Sequence, residues 1–156
     1  MSPAAFPPVK VGLLGLGTVG GGVTRVLARN AGEISRRAGR EIVITHAAAR
    51  NLDTTTANTA GMRLTEEALE VVDDPDVSII VELMGGYEPA RGLVLRALAN
   101  GKHVVTANKA LIARHGNEIF AAARATGMMV GFEAAVAGSI PIIKAIREGL
   151  AGNRLE

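Results

Sequence analysis

Short apolar runs alternate with stretches whose apolar residues recur at helical spacing from Val9 to about Gly127. Five runs read as strands: Val9–Leu14, Ile42–Ala48, and residues 77–83, 102–106 and 128–133. Between them, Val19, Val23, Val26 and Leu27 open a helix expected to run from Thr18 to about Ala38, with Gly39 as its C-cap. Residues 51–63 are polar and irregular, a loop. Thr65 reads as the cap of a short helix with Glu66 and Glu67 in its first turn, stopped by Asp74-Pro75. Leu93, Val94, Ala97 and Leu98 give an apolar face to a helix between Pro89 and Gly101. After the fourth strand the pattern predicts two helices, one through Ala113 and one over residues 118–125, ended by Gly127. From Ala134 to Ser139 the residues are small and irregular, and Ser139 and Pro141 start a last helix through Ile142, Ile143, Ala145 and Ile146.

Strands alternating with helices imply an α/β fold with a doubly wound parallel sheet, Rossmann-like, with strand order 2-1-3-4-5. In such a sheet a ligand lies beyond the carboxyl ends of the strands, where the order reverses. Three loops then converge there: the glycine turn after the first strand, Met84-Gly85-Gly86, and Thr106-Ala107-Asn108-Lys109.

The glycine turn is Gly15-Leu16-Gly17-Thr18-Val19-Gly20, a G-x-G-x-x-G placed between a strand and a helix. That context supports a dinucleotide site. Gly15 lets the chain turn sharply, Gly17 lets a pyrophosphate approach the backbone, and Gly20 lets the helix lie close on the sheet. The N–H groups of the first helical turn suit a phosphate. The further glycines Gly21 and Gly22 suggest close packing against this helix.

At the end of the second strand stands Arg50, with no acid before Asp53. An acid there would bind ribose hydroxyls and favour NAD, whereas an arginine accommodates a 2′-phosphate and favours NADP. Glu82 is unusual in an apolar strand, and its plainer reading is an acid at the wet strand end. The arginines Arg29, Arg36 and Arg37 read as a solvated helix end.

Composition narrows the function classes. A chain of 156 residues fits one domain with the start of another. Its 48% hydrophobic residues suffice for a core, and 3% aromatics leave that core to Ala, Val, Ile and Leu. A net charge of +2, with no long basic run, gives no case for nucleic acid. Without Cys there is no disulfide framework and no thiolate chemistry. No apolar run approaches the ~18 residues of a membrane span. The expectation is a cytoplasmic protein. Residues 1–8 read as a disordered lead-in, 9–133 as the dinucleotide-binding domain, and 134–156 as the hinge and start of a catalytic domain absent from this chain.

Beyond the glycine turn, three stretches carry a resemblance: Glu82-Leu83-Met84-Gly85-Gly86, Val105-Thr106-Ala107-Asn108-Lys109-Ala110-Leu111, and the run from Phe132 to Ile143, FEAAVAGSIPII. In this order and spacing the chain resembles homoserine dehydrogenase from Val9 to about Leu150. That family reduces aspartate 4-semialdehyde to homoserine with NAD(P)H, on the route to threonine, methionine and isoleucine. The resemblance implies that Gly17, Thr18 and Val19 hold the pyrophosphate and Arg50 faces the 2′-phosphate. Thr106 and Lys109 would lie beside the nicotinamide, with Lys109 near the substrate. Glu133, with the carbonyls of Val136, Gly138 and Ile140, would hold a sodium ion. Where the family often has Tyr and Gly, this chain has Phe132 and Ala137, which leaves the loop less free. The family's catalytic lysine and acids would fall beyond Glu156, in a second domain through which the family dimerises. The competing readings are a stand-alone NAD(P) sensor and another NAD(P)-dependent amino-acid or semialdehyde dehydrogenase.

Overall fold

Six parallel strands form one sheet in the computed structural model, which describes residues 6–53, 55, 57–138 and 140–152. They are β1 (Val9–Leu14), β2 (Ile42–Ala48), β3 (Arg63–Thr65), β4 (Ile79–Glu82), β5 (His103–Thr106) and β6 (Val130–Gly131), in the spatial order β3-β2-β1-β4-β5-β6. The five expected strands stand in the expected order. The sixth, β3, comes from the end of the stretch read as loop and extends the sheet beyond β2. The order reverses between β1 and β4, which pair in parallel from Val11↔Ile79 to Leu14↔Glu82.

Residues of alternating parity along β1 face opposite layers. Leu14 joins the larger core with Val71, Val94, Leu98, Leu111 and Ile119. These come from α3 (Ala68–Asp73), α4 (Ala90–Ala99) and α5 (Lys109–Thr126). Leu13 faces the other way, into a smaller core with Leu16 and Ala47. That side carries α1 (Thr18–Arg29), followed by α2 (Ala31–Ala38).

Three helix boundaries differ from expectation. The first helix breaks at Asn30, whose φ is −108° and ψ 17°. No residue of α2 is fully buried, so little packing energy holds the two helices collinear. Its arginines Arg36 and Arg37 do lie in solvent, paired with Glu33. Thr65 ends β3 instead of capping a helix. Its hydroxyl accepts from the Glu67 N–H, and α3 starts at Ala68. The two helices expected after β5 are one. Gly116 is buried inside α5, beside the ring of Phe120. An interior glycine costs about 1 kcal/mol, and the buried face of Leu111, Ile119 and Ala123 outweighs it.

Past β6 the chain makes a 3-10 turn (Glu133–Ala135), then α6 (Ile142–Lys144), which widens into a π turn (Ala145–Gly149). Ser139, expected to start this helix, and residues 1–5 of the lead-in lie outside the described residues. Phe6 lies against the Arg40 guanidinium, 5.1 Å from ring centroid to Cζ. No helix among the described residues is long and apolar enough to cross a membrane.

Candidate cofactor site

The glycine turn divides its work as its spacing implies. Gly15 has φ +103°, and a Cβ there would sit 3.0 Å from the Leu83 carbonyl oxygen. At Gly20 a Cβ would come within 2.0 Å of the Gly15 carbonyl oxygen, so α1 starts in contact with the turn itself. A Cβ on Gly17 would meet nothing within 4 Å. Its face is open, it is the N-cap of α1, and no side chain caps that helix. Gly17, Thr18 and Val19 are exposed, and the first-turn N–H groups are left to an external acceptor. Leu16 differs from its neighbours. Its side chain is core, and its carbonyl accepts from the Thr55 hydroxyl at 3.2 Å, which straps the following loop over the turn. The close packing suggested for three glycines applies to Gly20. A Cβ on Gly21 would meet Arg25 and Ala57 at ordinary contact distance, and one on Gly22 would meet nothing within 4 Å.

Arg50 follows β2 at the same edge of the sheet and is exposed. It has no hydrogen bond or ion pair among the described residues. An exposed guanidinium on the same edge as a helix N-terminus is a second feature that attracts phosphate.

The third part of the edge is a buried polar circuit, and here the reading of Glu82 as a wet strand end is wrong. Glu82 is fully buried, because β4 is flanked on both sides by β1 and β5 and ends under its own loop. Its Oε1 accepts from the N–H groups of Met84 at 2.8 Å and Gly85 at 3.3 Å. Its Oε2 accepts from the Thr106 hydroxyl at 2.6 Å. Glu82 and Thr106 are register partners, so their side chains leave the sheet on the same face. The Thr106 oxygen accepts in turn from the Asn108 N–H at 3.0 Å. The Asn108 amide donates to the Gly86 carbonyl at 2.7 Å, and its oxygen caps α5 by accepting from the Leu111 N–H at 3.1 Å. Thr106 and Asn108, singled out as cofactor ligands, therefore spend their side chains inside the protein. Gly85 and Gly86, with φ of 77° and 75°, present exposed backbone at the same place.

Lys109 is the first residue of α5 and is exposed, without a hydrogen bond or ion pair among the described residues. The positive end of a helix disfavours a cation by a few tenths of a kcal/mol, so this placement does not serve the helix. On the outer side of the Gly85-Gly86 loop, Tyr87 lies under the Arg114 guanidinium at 5.2 Å and meets the His115 ring edge-on at 6.0 Å. The sequence reading missed this stack, which depends on α5 being continuous.

Glu133 follows β6, the strand next to β5. Its two oxygens accept from the N–H groups of Ile143 at 3.0 Å and Lys144 at 3.1 Å, joining the chain after β6 to α6. The Ile140 carbonyl accepts from the Ile142 N–H, and Ala137 has a φ of 46°. The position where glycine was expected is thus left-handed, and an alanine holds it at a cost of about 1 kcal/mol.

The comparisons agree with one another. A family model described as the NAD binding domain of homoserine dehydrogenase matches residues 15–133. A homoserine dehydrogenase of Pseudomonas aeruginosa is 60% identical over 148 residues, covering 95% of this chain and 34% of that protein. One from Neisseria gonorrhoeae is 52% identical over 149 residues, 96% of this chain and 34% of its own length. A crystal structure of a homoserine dehydrogenase from Thiobacillus denitrificans superposes with a TM-score of 0.92 at 66% identity, covering 97% of this chain and 35% of that one. The chain therefore spans about a third of the length of the relatives it matches.

Proposed function

The chain belongs to the homoserine dehydrogenase NAD-binding domain family, and from that premise we propose that it is the cofactor-holding part of an enzyme that reduces aspartate 4-semialdehyde to homoserine. What supports this, beside the family match, is that one edge of the sheet carries a helix N-terminus with no side-chain cap at the point where strand order reverses, with Arg50 after β2 and Lys109 after β5, both exposed and without a hydrogen bond or ion pair among the described residues. Gly17, Thr18 and Val19 would bind the pyrophosphate through backbone N–H groups. Arg50 would take the 2′-phosphate of NADP(H) through charge-assisted hydrogen bonds. The exposed backbone of Gly85 and Gly86 would pass along the nicotinamide half. The reduced nicotinamide, when bound, supplies a hydride to a carbonyl carbon. Lys109 would orient that carbonyl by placing a positive charge near its oxygen, where negative charge develops.

The oxygens of Glu133, Val136, Gly138 and Ile140 are hard donors suited to a small cation such as sodium. Both Glu133 oxygens already accept one N–H each and keep lone pairs for such an ion. A melting temperature that is higher in sodium chloride than in choline chloride supports that site, and equal values count against it.

The reaction is tested with the full-length protein, aspartate 4-semialdehyde and NADPH, followed at the nicotinamide absorbance. Oxidation of NADPH is expected, with kcat lowered about 100-fold or more by Lys109→Ala, the size of one lost electrostatic contact in the transition state. Unchanged turnover in Lys109→Ala removes that residue from the site. Absence of any oxidation of NADPH or NADH removes the proposed reaction.

A further inference from the structure

Glu82 is a fully buried carboxylate to which the reading above gives no task. Burying such a group is unfavourable unless donors surround it, and three do. Their arrangement carries more than satisfaction of one side chain. The β4–β5 ladder ends at the pair Glu82↔Thr106. From there the two chains part, one into the Gly85-Gly86 loop and the other into residues 107–109. The circuit starts where the ladder stops. It runs from Glu82 to the N–H groups of Met84 and Gly85, along the backbone to the Gly86 carbonyl, across to Asn108, and through Thr106 back to Glu82. Gly85 and Gly86 are both left-handed, and a Cβ on either would have no neighbour within 4 Å. Met84 packs against the larger core on one side and Tyr87 stacks with Arg114 and His115 on the other, and between those anchors the backbone of Gly85 and Gly86 is tied by these hydrogen bonds.

We propose that Glu82 is a positioning residue of the cofactor site, which through Thr106 and Asn108 locks the Gly85-Gly86 loop to the loop bearing Lys109 and so sets the crevice at the nicotinamide end. The proposal rests on the reading of this edge as a nicotinamide-dinucleotide site. Glu82 acts without touching the cofactor, and its circuit joins Met84, Gly85, Gly86, Thr106 and Asn108, none of which is among the residues proposed to hold the adenosine half, Gly17 and Arg50. A purely structural role would weaken both halves alike, or neither.

The test separates the halves. The chain is titrated calorimetrically with NADPH and with adenosine 2′,5′-bisphosphate, which carries the adenosine half alone. Thr106→Val keeps the shape of the side chain and removes the hydroxyl that joins Glu82 to Asn108. It is expected to weaken NADPH about tenfold and to leave the bisphosphate within about twofold, and Thr106→Ser is expected to restore NADPH. Glu82→Gln, which retains the shape of the carboxylate, gives the same split and serves if Thr106→Val does not fold. Equal losses for both ligands, or no loss for either, overturn the proposal while the cofactor site stands. Failure of the unsubstituted chain to bind either ligand overturns the cofactor reading itself, and the proposal with it.

Discussion

The proposed role of Arg50 bears on a question that the glycine turn leaves open. In a dinucleotide fold the glycine turn takes the pyrophosphate, which NAD and NADP share, whereas the 2′-phosphate is met by whatever stands at the end of the second strand. There the chain places an exposed guanidinium with no partner among the described residues. Arg50→Ala is expected to weaken NADPH about tenfold, or about 1.4 kcal/mol, and to leave NADH nearly unchanged. Fluorescence titration of both cofactors checks this, and a parallel loss for both would remove Arg50 as the discriminator. Other residues at this edge were legible as to position and not as to role. Thr106 and Asn108 were placed correctly by their spacing, but spacing does not say which way a hydroxyl or an amide turns. Glu82 was misread for the same reason: one acid in an apolar strand looks like a solvated end until its register partner is known to be Thr106.

Elements were read best where local pattern and tertiary packing agree. β2 has the expected bounds because its β-branched run is bordered by polar residues and lies between two strands. The continuity of α5 was hidden by Gly116, a residue of low helix propensity that only its buried neighbours explain. β3 was hidden because a three-residue edge strand carries no periodicity to detect. Between helices, ion pairs bind the layer outside the larger core. Arg96 of α4 forks onto Asp73 at the end of α3, and Arg91 of α4 onto Glu118 of α5. The Arg96 guanidinium holds the Asp73 carboxyl below its ordinary value of 3.8, and Arg91 holds Glu118 below 4.5. A carboxyl whose folded pKa is lowered stabilises the fold above its unfolded value and loses that contribution as pH falls through the folded value. Asp73→Asn is therefore expected to lower stability at pH 7, and the difference from the parent chain is expected to shrink as pH falls below 3.8. Urea unfolding at a series of pH values measures this, and a difference independent of pH would mean that charge is not what Asp73 contributes.

At the scale of the whole molecule, a six-stranded parallel sheet reverses its order between β1 and β4 and carries at its carboxyl edge a helix start with no side-chain cap, two left-handed glycines and two cations without a partner among the described residues. The topology puts these groups at one edge, and their charge is of the sign that attracts anions. The class of fold followed from the alternation of strands and helices, and the proposed place of the site follows from the fold, since ligands of such sheets lie beyond the carboxyl ends of the strands. The most direct test of the account is a calorimetric titration of NADPH into this chain and into its Gly17→Val variant. A Cβ at position 17 meets no protein atom within 4 Å, so the variant is expected to fold with little change in melting temperature. Its branched side chain would stand where the pyrophosphate approaches the backbone, and its affinity is expected to fall at least tenfold, or about 1.4 kcal/mol. Equal affinities in the two proteins, or no binding by the unsubstituted chain, would contradict the assignment of this edge as the cofactor site.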